Sequence, residues 1–130
     1  LTPFKEGADF PDALKPLGAP PLDWEMLLTG NEQHLGDCDH VLYKPRWGAF
    51  YQTPLEHILR TLAIDTLIFA GCNFPNCPRT SMYEASERDF RLVLAQDAMS
   101  VLYPQGIDEL KNIGVHVKNS QDIISTLVKG

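Results

Sequence analysis

TLIFAGCNFPNCPRT, residues 66–80, decides the fold. Thr66 to Gly71 is an unbroken apolar run of strand length, the pattern of a strand covered on both faces in a parallel sheet. The chain then turns through Cys72 to Asn76 and opens a helix at Pro78, where a missing amide and a preset φ cost nothing. Reading downstream, that helix runs to about Phe90, with Met82 and Ala85 on its apolar side and Glu84 and Arg88 spaced i,i+4 on its solvent side. RLVLAQD (91–97) is a second strand, GIDELKNI (106–113) a helix, GVHV (114–117) a strand and Ser120 to Val128 a closing helix.

Upstream, Thr53-Pro54-Leu55-Glu56 has the spacing of a capping box with proline in the first turn, opening a helix to about Leu62. HVLYK (40–44) is a short β-rich run ahead of it. Strands alternating with helices specify right-handed crossovers and a parallel sheet. The expected architecture is therefore α/β, three layers α/β/α, with strands at His40–Lys44, Thr66–Gly71, Arg91–Ala95 and Val115–Val117 and helices on both faces. Residues 1–38 hold five of the ten prolines and four of the nine glycines, so they are expected to be mostly irregular. Only Asp23 to Leu28 has the makings of a short helix. A stretch of that kind in a compact domain wraps a surface or serves a partner.

With 130 residues the chain is expected to form one domain. Hydrophobic residues at 44% and charged residues at 22% argue against wholesale disorder. Eleven Lys and Arg against seventeen Asp and Glu leave a net charge of −6 with no basic cluster, which disfavours nucleic acid as a partner. No apolar run approaches the roughly 20 residues of a membrane-spanning helix. Three cysteines, Cys38, Cys72 and Cys77, do not make a disulfide framework, and a reducing cytoplasm is the expected location. The first residue is Leu1, which suggests a processed chain or a fragment.

Ligands of a parallel sheet bind at the carboxyl ends of its strands, so chemistry is sought just after Lys44, Gly71 and Asp97. Cys77 sits at a helix start, where free amides and the positive end of the dipole favour a thiolate. Inert packing is the other reading of a cysteine there. Lys44, expected at a strand end on the same sheet edge, would stabilise such an anion, although a lone lysine there is more often a solvated charge. Trp47, Phe50 and Tyr51 wall a pocket or belong to the core. Asp37-Cys38-Asp39-His40 has ligand-type residues but reads better as a polar turn. The four histidines, His34, His40, His57 and His116, are scattered without Asp-x-His spacing, so no metal is implied.

Lys44-Pro45-Arg46-Trp47-Gly48-Ala49-Phe50 after one strand, Gly71 to Cys77 after the next, and a later strand ending Asp97-Ala98 together resemble the isochorismatase-like cysteine hydrolases, over about Gly36 to Leu127. The resemblance implies a Rossmann-like parallel sheet and hydrolysis of an amide, ureido or related C–N bond of a small molecule through a Cys thioester. It implies Cys77 as nucleophile and Lys44 as its cationic partner. Backbone amides of Asn73 and Cys77 would form the oxyanion hole, and the Cys72–Asn73 peptide bond would be cis. Trp47, Tyr51, Phe74 and Arg79 are the candidate substrate-binding side chains, with no cofactor or metal. The family's aspartate ends a first strand, within a strand–helix–strand portion that these residues lack. The expectation is therefore a C-terminal portion of a hydrolase without its first two strands and without its base, inactive by itself and homo-oligomeric through uncovered edges. Asp97 is the alternative base. The competing readings are a non-catalytic binding or scaffold member of the same fold, isochorismatase-type hydrolysis, and a redox pair of Cys72 with Cys77.

Overall fold

The structure, a computed structural model, describes residues 5–130. Its contacts divide the chain into two compact units, residues 1–43 with 52–54 and residues 44–51 with 55–130.

The larger unit holds three strands, β3 (Thr66–Gly71), β4 (Arg91–Met99) and β5 (His116–Lys118), in the order β3-β4-β5 with both pairings parallel. It also holds α2 (Leu55–Thr61), α3 (Cys77–Ser86), α4 (Pro104–Asn112) and α5 (Ser120–Lys129). Parallel neighbours need a crossover, and α3 and α4 supply the two.

Register determines which residues share a face. Leu67 lies opposite Leu92, Phe69 opposite Leu94, and Leu94 opposite Val117, so these point one way and pack against Met82, Ala85 and Leu110 in the main core. Leu94, Met82 and Ala85 are wholly buried there. Thr66, Ile68, Val93, His116 and Lys118 point the other way, toward Asp122, Ile123, Thr126 and Leu127 of α5, around an apolar groove of about 320 Å³. Helices thus lie on both faces, as expected, but the second face is thinly covered and Ile68 stays 45% exposed. The sequence reading of Thr66–Gly71 as buried on both faces is corrected accordingly. Among the described residues β3 pairs on one side alone.

A second correction concerns His40–Lys44, expected as a strand of the parallel sheet. In the smaller unit Asp39–Val41 forms β2, which pairs antiparallel with β1 (Gln33–Gly36) through the tight turn at Asp37 and Cys38. A turn that short returns the chain at once and admits only antiparallel pairing. Residues 5–38 are also more regular than expected, with two single-turn 3-10 helices at Glu6–Ala8 and Asp12–Leu14, α1 (Trp24–Leu28) and β1; residues 1–4 of that irregular segment lie outside the described residues. Asp23 caps α1 by accepting from the Met26 amide at 2.9 Å. Gln33, 8% exposed, is satisfied on both sides: its Oε1 accepts from the Asp23 amide and its Nε2 donates to the Pro21 carbonyl. Leu27, Leu35 and Val41 form this unit's own core.

Two further details refine the sequence reading. The Glu84–Arg88 side-chain pair does not form; Glu84 accepts from the Phe50 amide and Arg88 pairs with Glu56 at 3.0 Å. Asp97 reaches across to α5, its carboxylate accepting from the Ser120 amide at 2.7 Å and the Ser120 hydroxyl at 2.6 Å. That is an N-terminal cap delivered from a neighbouring strand, where free amides favour negative charge.

Truncating Leu94 to alanine removes a wholly buried side chain from the central strand and is expected to cost about 2–5 kcal/mol in chemical denaturation. The cap predicts a pH-dependent effect. The Ser120 hydroxyl and amide bonds hold the Asp97 carboxyl below its ordinary range. A depressed folded value means stabilisation that is complete above the unfolded value, about pH 4, and lost as pH falls through the folded one. The urea midpoints of wild type and Asp97→Asn should differ at neutral pH, with faster amide exchange in α5 of the variant, and should converge in acid. Equal midpoints at neutral pH would remove the cap from the account.

Candidate active site

β3 delivers the chain to the carboxyl edge of the sheet at Gly71, whose φ of +132° suits a residue without Cβ. The Cys72–Asn73 bond that follows is cis, as the resemblance implies. The turn is stitched to the end of β4: the Ser100 amide donates to the Gly71 carbonyl at 3.0 Å, the Phe74 amide to the Ser100 carbonyl at 2.9 Å, and the Ser100 hydroxyl to Asn73 Oδ1 at 2.7 Å. Phe74, 1% exposed, plugs the turn into the core edge-on to Tyr103, with ring centroids 5.2 Å apart. Gly106 makes room for it, since a Cβ there would meet the Phe74 ring. Asn76 then precedes α3, and Cys77 is its first residue.

Lys44 arrives from another direction. It stands three residues beyond the end of β2 rather than at a strand end, in an irregular segment that continues to Phe50. Two amides of that segment are caught by α3, Ala49 donating to Ser81 Oγ and Phe50 to Glu84 Oε2, each at 3.0 Å. The segment curls around its own lysine. Lys44 Nζ donates to the Arg46 carbonyl at 2.9 Å, to the Trp47 carbonyl at 3.2 Å and to Cys77 Sγ at 3.2 Å. All three ammonium protons thus have acceptors, and the charge faces the sulfur.

Lys44, Pro45, Arg46, Trp47 and Cys77 line a cleft of about 330 Å³, with no carboxylate among the described residues of its wall. Neither the Asn73 nor the Cys77 amide donates to a backbone acceptor among the described residues. Cys77 is half-buried, whereas Cys38 and Cys72 are exposed, and the three are free thiols.

The other sequence candidates divide. Trp47 lines the Cys77 cleft, and Tyr51 lines an adjoining recess that shares Arg46 and Trp47. Phe74 is in the core instead. Arg79 is engaged by Tyr103 Oη at 2.7 Å and Glu109 at 2.6 Å. Asp97, the alternative base, is occupied by Ser120. Sequence reasoning missed Ser81, Glu84 and Ser100, which hold the two site segments; a hydroxyl or carboxylate that bonds a loop distant in the chain has no sequence signature. It also missed a cluster in the smaller unit, where Glu32, His34 and His40 come together. Two of the histidines taken as scattered are cross-strand neighbours, paired His34 to His40 in the hairpin.

Comparison with known proteins finds relatives of one family. The family model described as the Isochorismatase domain matches residues 9–122. A probable inactive nicotinamidase of Arabidopsis thaliana is 33% identical over 82 residues, 59% of this chain and 42% of the relative. A ureidoacrylate amidohydrolase of Methylorubrum extorquens is 35% identical over 77 residues, 58% of this chain and 31% of the relative. The crystal structure of N-carbamoylsarcosine amidase from Thermoplasma acidophilum superposes with a TM-score of 0.56 at 27% identity, covering 78% of this chain and 67% of that one. The chain spans less than half the length of these two curated relatives. A parallel sheet with a lysine and a cysteine converging at its carboxyl edge, and a family model matching most of the chain, make it a member of the isochorismatase family.

Proposed function

We propose that this chain carries the nucleophile of a cysteine hydrolase acting on the C–N bond of a small amide or ureido compound. The 3.2 Å contact between Lys44 Nζ and Cys77 Sγ at the carboxyl edge of the sheet carries the proposal. An ammonium at that distance is placed to stabilise negative charge on the sulfur as it reacts, and the start of α3 adds partial positive charge from its free amides. The sulfur attacks the carbonyl carbon, and the amides of Asn73 and Cys77 are the donors for the oxyanion. Collapse breaks the C–N bond, the nitrogen leaves with a proton, and a thioester on Cys77 remains. Water then attacks the thioester and restores the thiol.

Proton transfer to the leaving nitrogen and from the incoming water needs a base, and among the described residues the wall of the Cys77 cleft contains no carboxylate. The aspartate that the resemblance implies belongs to a strand beyond the matched segments, and Asp97 is committed to Ser120. In this proposal the 130-residue chain acylates and does not turn over efficiently. Trp47 and Tyr51 are the proposed substrate contacts; Phe74 supports the turn from beneath, and Arg79 acts on α4 through Glu109. A cytoplasmic location and self-association belong to the same proposal, the latter supported by Ile68 and Leu127, which are exposed and line one groove of the larger unit. A non-catalytic binding role is the second reading, favoured by the same missing carboxylate and by a relative described as probably inactive.

Two measurements test this. Cys38 and Cys72 are more exposed than Cys77, so access alone would make them react first with iodoacetamide. Peptide mass mapping at neutral pH is expected to find Cys77 labelled fastest, and Lys44→Ala to slow Cys77 several-fold without changing the other two. Labelling in order of exposure would remove the ion pair from the mechanism. With a reactive carboxamide, the chain should show one acyl equivalent per Cys77 and then turnover slower by at least about 10²-fold, the usual worth of general acid–base catalysis. Sustained rapid turnover would mean that a base is present, and absence of any Cys77 adduct would favour the binding role.

A further inference from the structure

The smaller unit carries a cluster that has no part in the chemistry of Cys77. In the hairpin His34 lies directly opposite His40, and directly opposed residues project from the same face of an antiparallel pair. Glu32 is two residues before His34 and so shares that face. The opposite face is the apolar one, since Gln33, Leu35 and Val41 turn inward and Leu35 and Val41 join the core of that unit. Glu32, His34 and His40 thus project from a scaffold whose back is packed.

Their atoms converge. His40 Nδ1 lies 2.7 Å from Glu32 Oε2, and His34 Nε2 lies 3.5 Å from Glu32 Oε1. The imidazole centroids are 4.3 Å apart at an interplanar angle of 57°. One ligand atom from each of the three residues falls within 4.8 Å of the other two. Donors on one tetrahedral zinc ion lie about 3.3 Å apart, given bonds near 2.0–2.1 Å. Closing the remaining gap needs side-chain rotation only, and the His34 side chain is 53% accessible.

We propose that Glu32, His34 and His40 form a binding site for a divalent first-row transition-metal ion, Zn²⁺ foremost, on the outer face of the hairpin. Two imidazoles and one carboxylate suit zinc, nickel or copper and disfavour the hard, all-oxygen chemistry of Mg²⁺ and Ca²⁺. The ion takes the place of the proton between His40 Nδ1 and Glu32; that proton moves to Nε2 of the same ring through solvent, so the imidazole stays neutral, and His34 Nε2 and His40 Nδ1 each donate a lone pair to the ion. Three protein ligands leave a fourth position for water. The ion would clip β1 to β2 across a pairing only a few residues long, so its first consequence is greater stability of the smaller unit.

Equilibrium dialysis of the full chain against Zn²⁺, with the three thiols blocked by alkylation so that sulfur cannot compete, is expected to find one ion per chain and none when Mg²⁺ is offered. His34→Ala, His40→Ala and Glu32→Gln should each weaken binding by at least about tenfold, since loss of an outer-shell partner alone costs 10- to 100-fold. Proton NMR of the unmutated chain provides the check independent of variant folding. Zn²⁺ should shift the ring resonances of His34 and His40 and leave those of His57 and His116 unmoved. The proposal is overturned by absence of stoichiometric zinc, by zinc binding that survives all three substitutions, or by ring shifts confined to His57 or His116.

Discussion

The parallel ladder between Thr66–Gly71 and Arg91–Met99 is the constraint on which the larger unit depends. Parallel strands require a crossover, and the crossover here is the helix that begins at Cys77. Because the ladder runs out at Gly71 opposite Met99, the turn after Gly71 lies beside Ser100, whose backbone and hydroxyl take up the turn's polar groups. Phe74 then drives the turn inward against Tyr103, and the close approach of α4 is possible because Gly106 has no side chain. Slipping β3 by one residue against β4 would turn Leu67 and Phe69 from the core face to the thinly covered one. The position of Cys77 is thus inherited from apolar packing some distance from the sulfur.

Lys44 is placed differently, by polar contacts with α3. Ser81 and Glu84, on the face of the helix that meets the loop, hold the amides of Ala49 and Phe50, and Arg46 and Trp47 turn their carbonyls toward the ammonium. Three of these bonds are charge-assisted and two are partly buried, and bonds of either kind contribute more each than an open surface pair. Arg91 with Asp65 is such a surface pair, its side chains 74% and 64% accessible, and solvent screening leaves it little weight in the fold. The lysine reaches the cysteine because the loop is sewn down along its length.

The smaller unit follows a different economy. One buried glutamine, Gln33, ties the strand to the approach of α1 by two side-chain bonds to backbone, and a few aliphatic side chains supply the core. Strands of four and three residues with so small a core leave little stability in reserve. That makes the polar outer face of the hairpin, where Glu32 joins two imidazoles, energetically consequential for its size.

Much of this was legible in the residues. The apolar run at Thr66–Gly71, the proline at the start of α3 and the alternation from there to Lys129 determined an α/β chain with parallel pairing, because hydrophobic period and helix-start chemistry are local properties. Cys77 was legible for the same reason, as a thiol between a turn and a helix. What sequence could not decide was everything that depends on a partner distant in the chain. His40–Lys44 had strand composition, but composition does not say with which neighbour a strand pairs, and the two-residue turn at Asp37 and Cys38 gave it to β1. Phe74 and Arg79 had the chemistry of substrate contacts, yet Phe74 found a cavity under Tyr103 and Arg79 found Glu109, thirty residues on. Asp97 looked available as a base until Ser120 was seen to occupy it. His34 and His40 looked scattered because sequence distance hides cross-strand adjacency. Local propensity and periodicity can be read along the chain, whereas pairing, burial and charge proximity are relations between segments, and tertiary contact alone decided them.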